Sequence, residues 1–368
     1  MSENAQLLWE KYCEQEMTAV APLLASLGFA LELNQPQIGG ERFLMQAVTT
    51  KNGRKLILFA RRASDNKRVV IKITRDKNGR GELLHERKCR AALQNITFAY
   101  IIFLSPKEIL FANKGGYTIS IQEYVEQECP FLERALEEQF STILKAFEAQ
   151  EGAHATTFGH LRSIIKTFGK INAPQYLESY QDFQKNISQH SFTDEHTRAL
   201  LQKGYEILTS QKETVEQYCD FLTHTDFVPH NFRIIDENIY LLDHSSIRFG
   251  NKYEGWARFL NFMTLYNPKL EEALLFYVRN NRADEELVSL KLMRIYKLGE
   301  LIWYHTKKLD KASGNFRTLT EKRVIFWSNV LEAILNDTLV SQEITDKYKS
   351  ERDALRSPDE TERQKGLH

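Results

Sequence analysis

A chain of 368 residues is long for a single compact core and leaves room for two lobes. Its 49 basic and 49 acidic side chains cancel, so no global field recruits nucleic acid, and 42% hydrophobic content marks an ordinary globular protein. Widely spaced cysteines (Cys13, Cys89, Cys129, Cys219), the lack of a signal-peptide pattern and the lack of any run near the ~18 apolar residues of a membrane span together imply reduced thiols, no zinc centre and a cytoplasmic protein.

Leu8, Tyr12, Val20, Leu23, Leu24 and Leu27 recur at helical spacing from Ala5 to Leu27; Gly28 stops the helix and Pro22 kinks or splits it. From Glu41 the texture turns to β. Strands are expected over Arg42–Val48, Lys55–Arg62 and Arg68–Ile73, with turns at Thr49–Gly53 and Ala63–Lys67. In Val69-Val70-Ile71-Lys72-Ile73, an ammonium in so apolar a strand is costly unless it finds a partner or snorkels to water. A helix follows over Gly81–Gln94. It places Glu86 on the face of Cys89 and Leu93, with Glu82 one turn earlier as a rival partner for Lys72. Ile101–Leu104, Glu108–Ala112 and Tyr117–Val125 then resume the sheet around a Lys-Gly-Gly turn. In the last of these, Tyr117, Ile119 and Ile121 alternate with Thr118, Ser120 and Gln122 as a half-buried strand does.

After Pro130 the chain reads as helical, over Glu133–Glu148, Gln175–Ile187, Thr193–Asp220, Asn267–Asn280, Asp284–Lys308 and Thr318–Leu339. Thr318-Leu319-Thr320-Glu321 has the form of a capping box for the last of these. Tyr277, Tyr296, Trp303, Tyr304, Phe326 and Trp327 read as core. An acidic group at Glu126, Glu128, Glu133, Glu137 and Glu138 serves either as a solvated helix face or as an attractor for a cationic substrate. Residues 345–368 are charged and nearly free of large apolar side chains, which predicts a frayed tail.

One β interruption of this helical region concentrates the chemistry. From Phe221 to Asp243 a strand end leads into His224-Thr225-Asp226, a loop holding Pro229, His230 and Asn231, and a hairpin of Phe232–Ile235 and Ile239–Leu242. A hairpin folds its ends together, so Asp226, Asn231 and Asp243 should converge. Two carboxylates and an amide suit a hard, oxygen-liganded cation such as magnesium.

His-x-Asp, Asn five residues after that Asp, a strand pair and a closing Asp together resemble the catalytic segment of kinase-like phosphotransferases. With Thr225 in the middle, the segment looks more like the aminoglycoside phosphotransferase and choline kinase family than like protein kinases. Val-Val-Ile-Lys resembles the Val-Ala-Ile-Lys strand of the same fold. The resemblance spans about residues 30 to 340 and implies an α+β, bilobal protein-kinase-like fold: an antiparallel-sheet N-lobe (29–125) and a helical C-lobe (126–344), preceded by an N-terminal helix (1–28). It implies ATP and Mg2+ as cofactors and a small-molecule hydroxyl compound as acceptor, with neither nucleic acid nor membrane as partner. By the same resemblance Lys72, steadied by Glu86, holds the α- and β-phosphates, and the backbone of Gln122, Glu123, Tyr124 and Val125 receives the adenine. Asn231 and Asp243 bind metal, Asp226 takes the proton of the attacking hydroxyl, and His224 props the loop.

Two departures stand out. The turn that would cover the nucleotide, Thr49 to Arg54, has one glycine, with Lys51, Asn52 and Arg54 as possible donors. Gly255 stands where the family carries the Asp that ties down the catalytic loop, and Glu254 is the neighbouring candidate to replace it. A degenerate nucleotide-binding or scaffolding module, a protein kinase, and a metal-dependent hydrolase built on His224, Asp226, Asp243 and His244 are the competing readings.

Overall fold

The computed structural model describes residues 2–38, 40, 41 and 55–365, with side chains from Trp9 to Gln364 among them. The expected strand over 42–48 and the turn over 49–54, with Lys51, Asn52 and Arg54, lie outside the described residues.

Helix α1 (Ser2–Ala25) runs unbroken, because Pro22 falls in its last turn, where the missing N–H costs a single helical bond. It lays Trp9, Cys13, Val20 and Leu24 on a five-stranded sheet of β1 (Phe29–Leu31), β2 (Leu56–Arg62), β3 (Arg68–Thr74), β4 (Glu108–Lys114) and β5 (Tyr117–Glu123), ordered β1-β2-β3-β5-β4. Every pairing is antiparallel. Val69, Ile71, Ile73, Tyr117, Ile119 and Ile121 form the apolar face under α1. The alternate residues, Val70 and Lys72 opposite Gln122 and Ser120, form the other face. That second face is buried as well, so β5 is covered on both sides and not half-buried as its alternation predicted. Gly115 and Gly116, at φ +58° and +80°, make the two-residue turn joining β4 to β5.

Helix α2 (Lys77–Gln94) begins earlier than its apolar pattern suggested, because Asp76 caps it by accepting from the backbone N–H groups of Asn78 and Gly79. The stretch 101–104 is not a strand: Leu104 makes one isolated bridge to Tyr240, tying the sheet region to the hairpin further on.

The helical region contains α3 (Leu136–Gly152), α4 (His154–Gly159), α5 (Leu161–Phe168), α6 (Ala173–Ser188), α7 (Glu195–Ser210) and α8 (Lys212–Gln217). It continues through β6 (Phe221–His224), β7 (Phe232–Ile235), β8 (Asn238–Leu241) and β9 (Ile247–Gly250) into α9 (Glu254–Tyr266), α10 (Pro268–Asn281), α11 (Asp284–Thr306) and α12 (Gly314–Leu335). A core of Phe147, Tyr176, Tyr180, Trp256, Phe259, Met293 and Leu331 joins these helices. Thr318 is not a cap. It lies one turn inside α12 and its hydroxyl donates to the Gly314 carbonyl.

The expected frayed tail is helical where it is described: α13 (Gln342–Leu355) and α14 (Pro358–Lys365) follow α12. The tail's sparse apolar content is concentrated where it counts: Tyr348 stacks on Phe326 at 4.4 Å, and Lys322 pairs with Glu351 at 2.9 Å. Among the described residues no helix is long and apolar enough to cross a membrane.

Candidate active site

Lys72 rises from the face of β3 opposite α1, and its ammonium donates to Glu86 on α2 at 2.6 Å, both side chains being buried. Glu82 instead pairs with Lys55, at 3.2 Å. The same ammonium donates to the Leu242 carbonyl at 3.1 Å, so the strand of the sheet meets the β7–β8 hairpin one residue before Asp243. Arg90, one turn after Glu86, lies 3.7 Å from it and 2.9 Å from Glu108, which holds α2 to β4.

Strands β7 and β8 pair from Phe232–Leu241 to Ile235–Asn238, with Asp236 at φ +53° in the turn, and this brings the hairpin's two ends together. The Asn231 amide donates to the Asp226 backbone carbonyl at 2.9 Å and to its carboxylate at 2.7 Å. At the hairpin's other end, Leu242 N–H donates to the Asn231 carbonyl at 2.9 Å. Asp243 caps the short turn His244–Ser246: its carboxylate accepts from Ser245 N–H and from the hydroxyls of Ser245 and Ser246. Burial raises the Asp243 carboxyl, but those hydroxyls and the nearby His224 and Lys72 outweigh it and keep the group ionised below its ordinary range.

His224 is fully buried at the end of β6. Its Nε2–H donates to the Asp243 carbonyl at 2.8 Å, since a carbonyl can only accept. Burial lowers its pKa and keeps the ring neutral, which suits a prop between loop and hairpin better than a proton carrier. His244 is equally buried, lowered to about 3 by desolvation, and bonded to the Phe103 carbonyl. Both imidazoles commit Nε2 to a backbone carbonyl, and no group of three or more His, Cys, Asp or Glu suited to a metal exists among the described residues.

Arg258 is the residue that sequence reasoning passed over. It stands one turn beyond Gly255 on α9, and its Nε donates to the Asp226 carboxylate at 2.7 Å. Asp226 nevertheless keeps 39% of its side chain exposed to the cleft. Burial raises this carboxyl. Arg258, with His230 and Lys297 adding to it, prevails and holds it well below the usual carboxylate range. The signal was present in the Ala257-Arg258 pair, since position i+3 from Gly255 shares a helix face with it.

Glu254 does not replace the absent acid. It is fully buried and turned away from the loop, accepting from the Tyr176 hydroxyl at 2.7 Å and pairing with Arg248 at 2.6 Å and Lys297 at 3.5 Å. The loop is tethered otherwise: Thr225 donates from both its N–H (2.8 Å) and its hydroxyl (3.0 Å) to the Ser246 carbonyl. Gly255 has a steric reason. A Cβ there would stand 2.9 Å from the His224 carbonyl oxygen and 3.0 Å from the Thr223 hydroxyl, so α9 packs its first turn directly on the strand that launches the loop.

Among the connector residues, Glu123 N–H donates to the Lys107 carbonyl (3.0 Å) and Tyr124 N–H to the Arg68 carbonyl (3.3 Å). Gln122 is buried, and its side-chain nitrogen has no acceptor. Arg68 lies 4.5 Å from the Phe59 ring and 4.4 Å from the Tyr124 ring, which braces the connector. Val125 begins the descent to the helices, and its N–H makes no bond among the described residues.

Asp226, Asn231 and Asp243 line a cleft of about 640 Å3 whose far wall comes from α9, α11, α12 and the chain after α13. Trp303 and Tyr304, expected in the core, line this cleft, whereas Tyr296, Phe326 and Trp327 are buried as expected. The acidic group at 126–138 does not line it. A second, more apolar hollow of about 730 Å3 lies behind the hairpin between Tyr100, Phe140 and Ile239, away from Asp226 and Asp243.

The sequence matches no protein-family model and no curated protein. Solved structures do match across most of the chain. Macrolide 2'-phosphotransferase type I aligns at TM-score 0.57 and 13% identity, covering 84% of this chain and 97% of that one. A thermostable mutant of aminoglycoside phosphotransferase APH(4)-Ia, in ternary complex with AMP-PNP and hygromycin B, aligns at 0.53 and 12%, covering 80% and 97%. Spectinomycin phosphotransferase APH(9)-Ia, in complex with ADP and spectinomycin, aligns at 0.50 and 16%, covering 87% and 93%.

Proposed function

The chain has the kinase-like fold of the aminoglycoside and macrolide phosphotransferases, and from that fold we propose an ATP- and magnesium-dependent phosphotransferase that moves the γ-phosphate to a hydroxyl of a small molecule. The observation that carries the reading is the meeting of Lys72 with the Leu242 carbonyl, since it sets a buried Lys–Glu pair beside Asp243 while Asn231 binds Asp226 across the hairpin.

The donor set fits magnesium. Asn231 commits its amide N–H2 to Asp226 and leaves its side-chain oxygen as the ligand atom, and the Asp243 carboxylate is oriented by two serines. Two hard oxygen donors suit a cation that takes its remaining ligands from phosphate and water. When bound, the ion would neutralise charge on the phosphates. Lys72, oriented by Glu86, holds the α- and β-phosphates; the connector over Gln122–Val125 receives the adenine edge. Asp226, ionised and open to the cleft, accepts the acceptor's hydroxyl proton. As that O–H bond breaks, the acceptor oxygen bonds the γ-phosphorus and the bond from phosphorus to the bridging oxygen breaks, with ADP leaving. His224 keeps the loop in register by its bond to the Asp243 carbonyl.

The test is ATP consumption with magnesium against a panel of small hydroxyl compounds. Asp226→Asn removes the proton acceptor and should lower turnover by about 10²–10⁴-fold while ATP affinity stays within threefold. Turnover retained in this variant would sink the assignment.

A further inference from the structure

Beyond the reading of this cleft as a phosphoryl-transfer site, on which the inference rests, the far wall carries information about the acceptor. Glu41 lines the cleft and is gripped by two arginines, Arg323 of α12 and Arg356 just after α13. Arg356 holds it through two bonds of 2.9 and 3.0 Å, and Arg323 approaches at 2.5 Å. All three side chains are buried or nearly so, and all three line the cleft with His305. Two further nitrogens in this corner, Nη1 of Arg323 and Nδ1 of His305, are buried with no hydrogen-bond partner among the described residues.

We propose that the acceptor is anionic: a hydroxyl compound bearing a carboxylate or phosphate group, which Arg323, Arg356 and His305 bind in the place Glu41 occupies here.

Three observations converge on this. First, the cleft's carboxylates are already committed. Among the described carboxylates of the cleft, Asp226 faces Arg258, Glu300 faces Lys297, Glu41 faces both arginines, and Asp243 is the proposed metal ligand. Second, one carboxylate, Glu41, answers two guanidinium groups, those of Arg323 and Arg356. Third, guanidinium groups bind carboxylate and phosphate through paired N–H donors, and Glu41 is the carboxylate that shows this geometry in place.

Calorimetry without ATP tests the proposal independently of catalysis. The probes are matched sets: gluconate, glucose 6-phosphate, glucose and glucosamine, and glycerate, glycerol 3-phosphate and glycerol. At least one anion should bind about tenfold or more tightly than its neutral parent, and the carboxylate and phosphate arms say which anion is preferred. Arg356→Met should erase that preference. Glu41→Gln, which removes the competing carboxylate, should strengthen anion binding several-fold, so the two variants move in opposite directions and loss of folding cannot mimic both. Equal or tighter binding of glucosamine or of the neutral parents, no binding by any anion, or weaker anion binding in Glu41→Gln overturns the proposal. Absence of ATP turnover with every hydroxyl compound would count against the phosphotransferase reading, whatever the anions do.

Discussion

Gly255 gives the sharpest test, because two well-known effects predict opposite signs for Gly255→Ala. In the first turn of α9, alanine in place of glycine should stabilise the protein by about 0.4–1 kcal/mol, through a smaller loss of backbone freedom. The structure opposes this with a contact. The new methyl would stand 2.9 Å from the His224 carbonyl oxygen, which is backbone, and 3.0 Å from the Thr223 hydroxyl. Carbon–oxygen contacts ordinarily begin near ~3.3 Å, so α9 or β6 must give way by several tenths of an ångström. Overpacking of this kind costs about 1–3 kcal/mol, and the opposed gain leaves a net destabilisation of about 1–2 kcal/mol.

The strain has a catalytic readout as well. His224 opens the catalytic loop, and Arg258, on the same helix, binds Asp226. Moving α9 off β6 therefore separates Arg258 from Asp226, and kcat should fall more than the KM for ATP rises. Gly255→Asp should be worse still, since its carboxylate would enter beside the stacked rings of Phe147 and Trp256. Urea denaturation with steady-state kinetics decides the matter. A Gly255→Ala protein more stable than the parent, with unchanged kcat, would refute the steric account of this position.

Three further outcomes follow from the same geometry. Lys72→Met removes a charge-assisted bond worth about 1.5–3 kcal/mol, so the KM for ATP should rise by one to two decades; an unchanged KM would mean the lysine faces no phosphate. Asp226, ionised below the ordinary carboxylate pKa, contributes stability present above that pKa and lost as pH falls through its depressed folded value. The rate profile should accordingly lack an acid limb from this group between pH 5 and 8, whereas Arg258→Met, which removes the main depressing charge, should introduce one. Glu254→Gln leaves Arg248 short of its buried partner and should destabilise the fold by about 3 kcal/mol in urea titrations without changing the KM for ATP.

The half of the cleft that would handle ATP and the proton was legible, because local spacing determines it. Lys72 sits in an apolar strand where only a partnered ammonium is tolerable, and the turn between β7 and β8 forces Asp226, Asn231 and Asp243 to one end of a hairpin. Antiparallel pairing in the sheet came with the kinase-like resemblance, and the Lys-Gly-Gly turn joins β4 to β5 as read. Glu254 misled for a geometric reason: one helix position turned it into the core, where Tyr176, Arg248 and Lys297 hold it. The tail misled because charge density was taken as a sign of fraying, although one aromatic, Tyr348, supplies its contact with α12.

The far wall of the cleft was not legible, and its construction says why. Glu41 meets partners 282 and 315 residues away, and no period or motif links positions so distant. An element spaced for helix or strand announces itself in any window of a dozen residues. A pair closed by tertiary packing announces itself only after folding, when two arginines on separate elements face the same carboxylate. Lys297 and His305 show the same property within one helix: α11 reads as amphipathic core, yet turns both toward the cleft. Specificity built in this way can change by substituting any one partner without disturbing the hairpin chemistry. The arginine corner, and not the catalytic loop, is therefore where the identity of the acceptor should be sought.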